Sequence, residues 1–149
     1  MKHRSAEHFK KRKNELSLTI APCGLICGLC SEAPVCRGCR DVNGCARAEN
    51  CYQRKCCAER GIVGCWKCKD FPCDNDMFSP EHGVRLKAFV RCALEDGIKG
   101  LAGFILHNDD NGVLYHRDKE HHTGDYDGLG SEAEVLQLLR QGKPNSNAK

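Results

Sequence analysis

Apolar and polar residues alternate regularly only in the second half of the chain, where three patterned segments follow one another. Ser79 followed by Pro80 is typical of a helix start, and Gly97 is typical of a helix end. We therefore predict a helix over residues 80–96. Its apolar stripe consists of Leu86, Phe89, Val90, Ala93 and Leu94.

The second patterned segment has two apolar runs separated by a polar turn. Leu101–Leu106 and Val113–Tyr115 flank the dipeptide Asn111-Gly112, which is a common signal for a tight hairpin turn. We therefore predict a β-hairpin over about 101–116.

A last helix is predicted over residues 132–141. Ser131 and Glu134 have the spacing of a capping box, and Gly142 marks the end of the apolar pattern. Residues 79–142 would thus form a helix, a hairpin and a closing helix. Residues 143–149 are a polar tail.

The first half is irregular, because glycine and proline interrupt it and its periodicity is weak. Residues 1–17 form a charged arm that we expect to be mobile or partly helical, and residues 18–78 form a separate module. Within that module, one short helix fits between Glu49 and Arg60. The expected fold class is α+β: a small, irregular, zinc-ribbon-like module followed by helix, hairpin and helix.

The zinc-ribbon expectation comes from the cysteines. Twelve of the thirteen lie between Cys23 and Cys73, and only Cys92 lies elsewhere. Pairs such as Cys36-x-x-Cys39 and Cys65-x-x-Cys68 can place two sulfurs on one ion, because the intervening turn points both toward the same place. Structural metal binding is the first hypothesis.

Disulfides are the main alternative to metal. Residues 1–13 are charged and no apolar leader follows them, so we expect a reducing, cytoplasmic location in which disulfides are rare. We interpret Cys92 as a small buried hydrophobic residue.

The cysteine order also resembles a known family. The stretches that carry the likeness are Cys23-Gly-Leu with Cys27 and Cys30, Cys36-Arg-Gly-Cys39, Cys51-Tyr-Gln-Arg-Lys-Cys56, Gly61-Ile-Val-Gly-Cys65, and Cys68 followed by Phe71-Pro-Cys73. Over about residues 20–78 the chain resembles the cysteine-rich family called domain of unknown function 3795. The resemblance implies a zinc-binding module with no assigned reaction.

The resemblance carries ten candidate ligands, to which we add Cys45. The doubled Cys56-Cys57 departs from the family pattern, so whether Cys57 completes a third site together with Cys45 stays open. Two tetrahedral zinc sites need about eight thiolates and three need about twelve, so we expect two or three Zn²⁺ ions. The pairing stays open. The candidate metal ligands are Cys23, Cys27, Cys30, Cys36, Cys39, Cys45, Cys51, Cys56, Cys65, Cys68 and Cys73.

The net charge of +3 comes from the arm, since residues 1–13 carry six Lys/Arg and one Glu. This distribution argues against a nucleic-acid surface over the whole protein. A local phosphate-facing patch stays open, formed by Arg37, Arg40, Arg54, Lys55, Arg60, Lys67 and Lys69. No apolar stretch approaches the roughly 18 residues of a membrane span, so no membrane partner is expected.

Residues 107–127 hold four of the seven histidines together with several aspartates. Such a cluster suits either a solvated loop or a second metal or ligand pocket. If a pocket exists, His116, His121 and Asp125 are its candidates.

The sequence therefore predicts an uncharacterised protein with structural zinc, which presents a surface to a protein or nucleic-acid partner. Catalysis is not expected, because residues 21–78 contain no His, a frequent ligand of catalytic zinc. An iron–sulfur redox protein is the first alternative, since thiolates also suit such clusters. Metal storage or trafficking is the second. The Cys23-x-x-x-Cys27-x-x-Cys30 spacing also occurs in radical S-adenosylmethionine enzymes, but the chain is too short for their barrel.

Overall fold

A computed structural model of the chain describes residues 6–24, 26, 52–71, 73, 78–79, 84–115 and 124–142. Within these ranges the secondary structure is helical. It consists of α1 (Ala6–Ser17), α2 (Tyr52–Arg60), α3 (Arg85–Asp110) and α4 (Glu132–Gln141), with a short 3-10 helix at Cys65–Lys67 between α2 and α3.

The α+β prediction is wrong for this part of the chain, because the described residues contain no strand and no hairpin. The only β-type pairing among them is an isolated antiparallel bridge between Ile20 and Ile26. The Leu101–Leu106 run belongs to α3. Its most buried residues are Leu101, Ala102, Ile105 and Leu106, a spacing that places them on one helix face.

The Asn111-Gly112 signal is used to end a helix and not to turn a hairpin. Val113 N donates to Asn108 O at 2.8 Å, and Gly112 N donates to Asp109 O at 3.2 Å. Gly112 has φ +91°. This is a Schellman ending, in which a left-handed residue follows the last turn, so the same dipeptide serves either structure.

Helix α3 is interrupted at Gly97, where φ is 81° and ψ is 162°. The predicted stop at this residue is thus a break inside a longer helix. Ser79, the predicted N-cap, has a buried Oγ with no hydrogen-bond partner among the described residues, and the N-cap of α3 is Val84. Residues 80–83 lie outside the described ranges.

Helix α4 occupies the bounds that the capping pattern predicts. Ser131 Oγ accepts from Glu134 N at 3.2 Å, while the Glu134 carboxylate accepts from Gly130 N at 3.1 Å. The first contact satisfies an amide donor that the first turn leaves without an intrahelical partner, and the second ties the residue before the N-cap to the helix. Val135 and Leu139 are buried on one side of the helix.

α3 is the central element, and both α1 and α4 pack against it. Asn108, buried in α3, donates through Nδ2 to the carbonyl oxygens of Leu138 (2.9 Å) and Leu139 (3.2 Å) in α4. On the other side, Arg12 of α1 forms an ion pair with Asp110 at 3.3 Å. The charged arm therefore contains a helix that rests on the core.

The aromatic core is built around Phe89 of α3. Its ring stacks on Tyr115 at 6.1 Å and meets Tyr126 edge-on at 5.4 Å. The same buried cluster continues to Cys57 and Cys65. The described part of the cysteine-rich segment is therefore attached to the helical core by apolar packing.

Candidate metal centre

Five cysteines line one concave site between α2 and the chain that follows it. They are Cys56, Cys57, Cys65, Cys68 and Cys73. The site contains about 380 Å³ of space, part of which is open to solvent. Its remaining wall is formed by Tyr52, Gln53, Arg60, Ile62, Asp70, Phe71 and Phe78.

Helix α2 supplies one wall through its spacing. Tyr52, Cys56 and Arg60 are four residues apart and lie along one helix face. Gln53 and Cys57 are buried on the adjoining face. Adjacent cysteines on a helix point in different directions, so Cys57 faces inward while Cys56 is half-buried at the opening.

The chain reverses immediately after α2. Gly61 has φ +69°, Ile62 N donates to Cys57 O at 3.0 Å, and Gly61 N donates to Ala58 O at 3.2 Å. This Schellman ending sends the chain back toward the helix. It returns Cys65 to the level of Cys57.

Cys65 is held by its surroundings on both sides. Its backbone N donates to Pro22 O at 2.9 Å, and its carbonyl accepts from Cys68 N at 3.1 Å in the 3-10 turn. The Trp66 ring covers Gly64 so closely that a Cβ added there would lie 2.3 Å from it. Only glycine permits this approach.

The Sγ atoms of Cys57 and Cys65 are 3.8 Å apart. Two ligands of a tetrahedral zinc, each about 2.3 Å from the ion, are also about 3.8 Å apart. Both residues are buried, at 3% and 7% exposure. The pair therefore fits two positions of one thiolate zinc site.

Burial raises the pKa of the Cys65 thiol well above its usual value, and the nearby Cys57 raises it further. Both effects oppose a second negative charge in an apolar place. A bound divalent cation would reverse this preference, because it stabilises the thiolate form directly.

Cys68 has a different environment. It is half-buried, and its Sγ accepts from Arg60 Nη1 at 3.3 Å and from Asp70 N at 3.4 Å. The same Arg60 nitrogen lies 2.8 Å from Asp70 Oδ2. Asp70, followed by Cys68 and Cys56, raises the pKa of the Arg60 guanidinium.

The remaining two cysteines of the site are also half-buried. Cys56 forms a hydrogen bond with the Tyr52 side chain, and this bond is the largest cause of a raised Tyr52 pKa. Cys73 lies across the site and adds a smaller electrostatic contribution to that pKa. The centre thus has a buried pair and three outer thiols.

Within the described part of the chain, no three His, Cys, Asp or Glu side chains are close enough together to hold one ion. The described cysteines are not in disulfides either. The structure therefore shows a pair of sulfurs at zinc spacing and three more thiols lining the same cavity.

Of the predicted ligands, Cys56, Cys65, Cys68 and Cys73 line the site. Cys23 is buried but is not part of the lining. The other six lie outside the described residues: Cys27, Cys30, Cys36, Cys39, Cys45 and Cys51.

The sequence interpretation does not count Cys57 among its candidate ligands, yet its Sγ lies 3.8 Å from that of Cys65. The signal that could have found it is helical periodicity. Gln53 and Cys57 are four residues apart on the buried face of α2. Counting Cys56 and Cys57 simply as two adjacent cysteines does not show that Cys57 is the one on this face.

The second candidate pocket, in residues 107–127, is described only at its ends. Asp125 Oδ2 accepts from Leu114 N at 2.8 Å, and Asp125 N donates to Leu114 O at 2.9 Å, so this residue joins two backbone segments. His107 is exposed at the end of α3. His116 and His121 lie outside the described ranges.

None of the described helices combines the length and apolar character needed to cross a bilayer. In the proposed basic patch, Arg60 is engaged with Cys68 and Asp70. Lys55, Lys67 and Lys69 are exposed. Arg37 and Arg40 are outside the described residues.

Comparison with known proteins gives one match. Residues 31–77 match the model of the family described as "Protein of unknown function (DUF3795)". Neither a search of curated proteins nor one of solved structures returns a match. The matched segment includes α2 and all five cysteines that line the cavity. The family matched over residues 31–77 is the one that the cysteine pattern resembles.

Proposed function

We propose that this chain is a structural zinc-binding protein in which Cys57 and Cys65 are two ligands of one Zn²⁺. The other two ligands come from the three outer thiols of the same cavity, Cys56, Cys68 and Cys73. The observation that carries the proposal is the 3.8 Å separation of the buried sulfurs, which fits tetrahedral thiolate coordination. Because three outer thiols compete for two positions, Zn²⁺ itself would select which of them turn inward.

A structural role follows from the donors. Among the described residues, the cavity lining includes thiols and no histidine, and zinc sites closed by cysteine are structural in most proteins. In such sites the free energy of metal binding, on the order of 10 kcal/mol, contributes to folding. The remaining cysteines between Cys23 and Cys51 provide for one or two further ions. Thiols of this kind require a reducing compartment.

The zinc would fix the surface around α2 and the 3-10 turn, and we propose that this surface is presented to a protein or nucleic-acid partner. Lys55 of α2, Lys67 of the 3-10 helix and Lys69 just after it are exposed. A salt titration of binding to random DNA and RNA tests the nucleic-acid case, because phosphate contacts give a log-linear fall in affinity.

The metal is tested by anaerobic purification of the full chain, followed by elemental analysis and native mass spectrometry. We expect a colourless protein with a whole number of zinc ions, which unfolds when a strong chelator removes them under reducing conditions. A brown protein with charge-transfer bands would establish the iron–sulfur alternative. Rapid exchange with weak chelators and no loss of structure would favour storage or trafficking. A metal-free protein that is fully folded would reject all three.

A further inference from the structure

Arg60 reaches across the mouth of the cysteine cavity. It is the last residue of α2, and its Nη1 lies 3.3 Å from Cys68 Sγ and 2.8 Å from Asp70 Oδ2. The amide of Asp70 donates to the same sulfur at 3.4 Å. One half-buried thiol thus receives two N–H donors from different parts of the chain.

We propose that Arg60 is a positioning residue that protects the Cys68 thiolate of the zinc site from electrophiles and so controls how readily the site is opened. This inference rests on the proposed function, and it further takes Cys68 as one of the two outer thiols that complete the site. It adds a residue that is not itself a ligand and that the cysteine pattern does not reveal.

The physical reason is the charge of the site. Four thiolates and one Zn²⁺ carry a net charge of about −2, and N–H donors to the sulfurs spread that charge. A thiolate whose lone pairs are engaged in charge-assisted hydrogen bonds is a weaker nucleophile. Partners outside the ligand set are known to tune metal sites in this way.

Asp70 orients the guanidinium. The side chains of Arg60 and Asp70 are 40% and 64% exposed, and ion pairs this exposed contribute little to stability. Loss of Arg60 should therefore leave the fold intact. Its effect should appear at the sulfur that it contacts.

Cys68 is the thiol of the site at which Arg60 should control reactivity. Cys57 and Cys65 are buried at 3% and 7% exposure, so reagents in water do not reach them first. Of the outer thiols, Cys68 receives a hydrogen bond from the Arg60 guanidinium. Cys56 and Cys73 serve as internal references, because they line the same cavity.

The test uses zinc-loaded full-length protein treated with iodoacetamide at constant pH, with alkylation of each cysteine followed by peptide mass mapping. The thiolate displaces iodide and forms a thioether, and the zinc released is counted with a chromogenic chelator. Arg60→Met removes the donor. Lys55→Met removes one positive charge from the same helix at an exposed position that does not line the cavity.

We expect Arg60→Met to raise the alkylation rate of Cys68 about fivefold or more, with zinc release rising in step. Cys56 and Cys73 should change less, and Lys55→Met should match wild type. Equal Cys68 rates in Arg60→Met and wild type would overturn the inference. So would an equal rise at every outer cysteine, because that would indicate general loosening.

Failure of this inference can be separated from failure of the proposed function. If wild-type protein holds no zinc, the proposed function fails before any variant is compared. If wild type and both variants bind zinc equally and Cys68 reacts at the same rate in all three, only the role of Arg60 is rejected.

Discussion

The sulfur atoms of Cys57 and Cys65 are 3.8 Å apart although one belongs to α2 and the other to the following 3-10 turn. The Gly61 reversal and the hydrogen bond from Cys65 N to Pro22 O hold them there. The backbone has therefore placed two buried thiols together without a disulfide. The pair is the part of the proposed metal centre that is already formed.

Replacing Cys57 should remove zinc from this site. We expect Cys57→Ala to bind one zinc fewer than wild type and to lose more than about 3 kcal/mol of unfolding free energy, because metal binding contributes to folding. Native mass spectrometry gives the zinc count, and urea unfolding gives the stability.

Cys92→Ala is the matched control. Cys92 is also fully buried, but it lies in α3 and donates to Asp96 at 3.6 Å. Its loss should cost about 1 to 2 kcal/mol through the cavity and the missing contact, with the zinc count unchanged. A full zinc count in Cys57→Ala would rule out Cys57 as a ligand.

The sequence predicted helices where capping residues were decisive. Ser131 and Glu134 fixed the start of α4 because their side chains bind the first turn directly. The sequence failed at Leu101–Leu106, since a short run of apolar residues suits a strand or a buried helix equally. In the folded chain this run is part of α3, which packs against α1 and α4. A local sequence pattern does not reveal such packing.

The sequence pattern indicated four of the five cysteines that line the cavity but only part of their arrangement. Spacing alone identified Cys65 and Cys68 as a turn that can chelate. It could not show that Cys57 would meet Cys65, because this depends on the direction of the chain after Gly61. Nor could it show Arg60 beside Cys68, since a basic residue in such a segment is usually solvated.

Asn108 should be essential to the packing of α4. Its Nδ2 donates to Leu138 O, Leu139 O and the Tyr126 hydroxyl at 2.9, 3.2 and 3.0 Å. Asn108→Ala leaves these buried acceptors without the donor, and we expect a loss of about 2 to 3 kcal/mol in urea unfolding.

The control for Asn108 is Asn111→Ala. Asn111 is exposed and donates to His107 O at 2.7 Å, so water can replace its contact and the expected loss is under about 1 kcal/mol. Equal losses of unfolding free energy in the two variants would show that the buried hydrogen bonds of Asn108 stabilise the protein no more than the exposed one of Asn111.

Tyr126 should make the protein sensitive to alkaline pH. Burial raises its pKa from 10.0 to about 12, although the hydrogen bond from Asn108 lowers it. Below pH 10 the phenol is protonated in both the folded and the unfolded chain. Above pH 10 the unfolded chain ionises first, so this contribution to stability is lost between about pH 10 and 12.

Urea unfolding at pH 9 and pH 11 measures this loss. Wild type should lose about 1 kcal/mol more than Tyr126→Phe over that interval, because phenylalanine cannot ionise. Parallel losses in the two proteins would contradict a raised Tyr126 pKa and would assign the alkaline sensitivity to other groups.

Gly64 should be required for the shape of the cysteine turn. An added Cβ would lie 2.3 Å from the Trp66 ring, so Gly64→Ala must displace Trp66 or the neighbouring Cys65. We expect a loss of about 1 to 3 kcal/mol and weaker zinc binding, measured by competition with a chelator. Gly112→Ala is the control: its φ of +91° makes it strained, but an added Cβ meets nothing within 4 Å. Gly112→Ala should lower stability by about 1 kcal/mol and leave the zinc affinity at the wild-type value. If Gly64→Ala also keeps the wild-type zinc affinity, the Trp66 contact does not position Cys65.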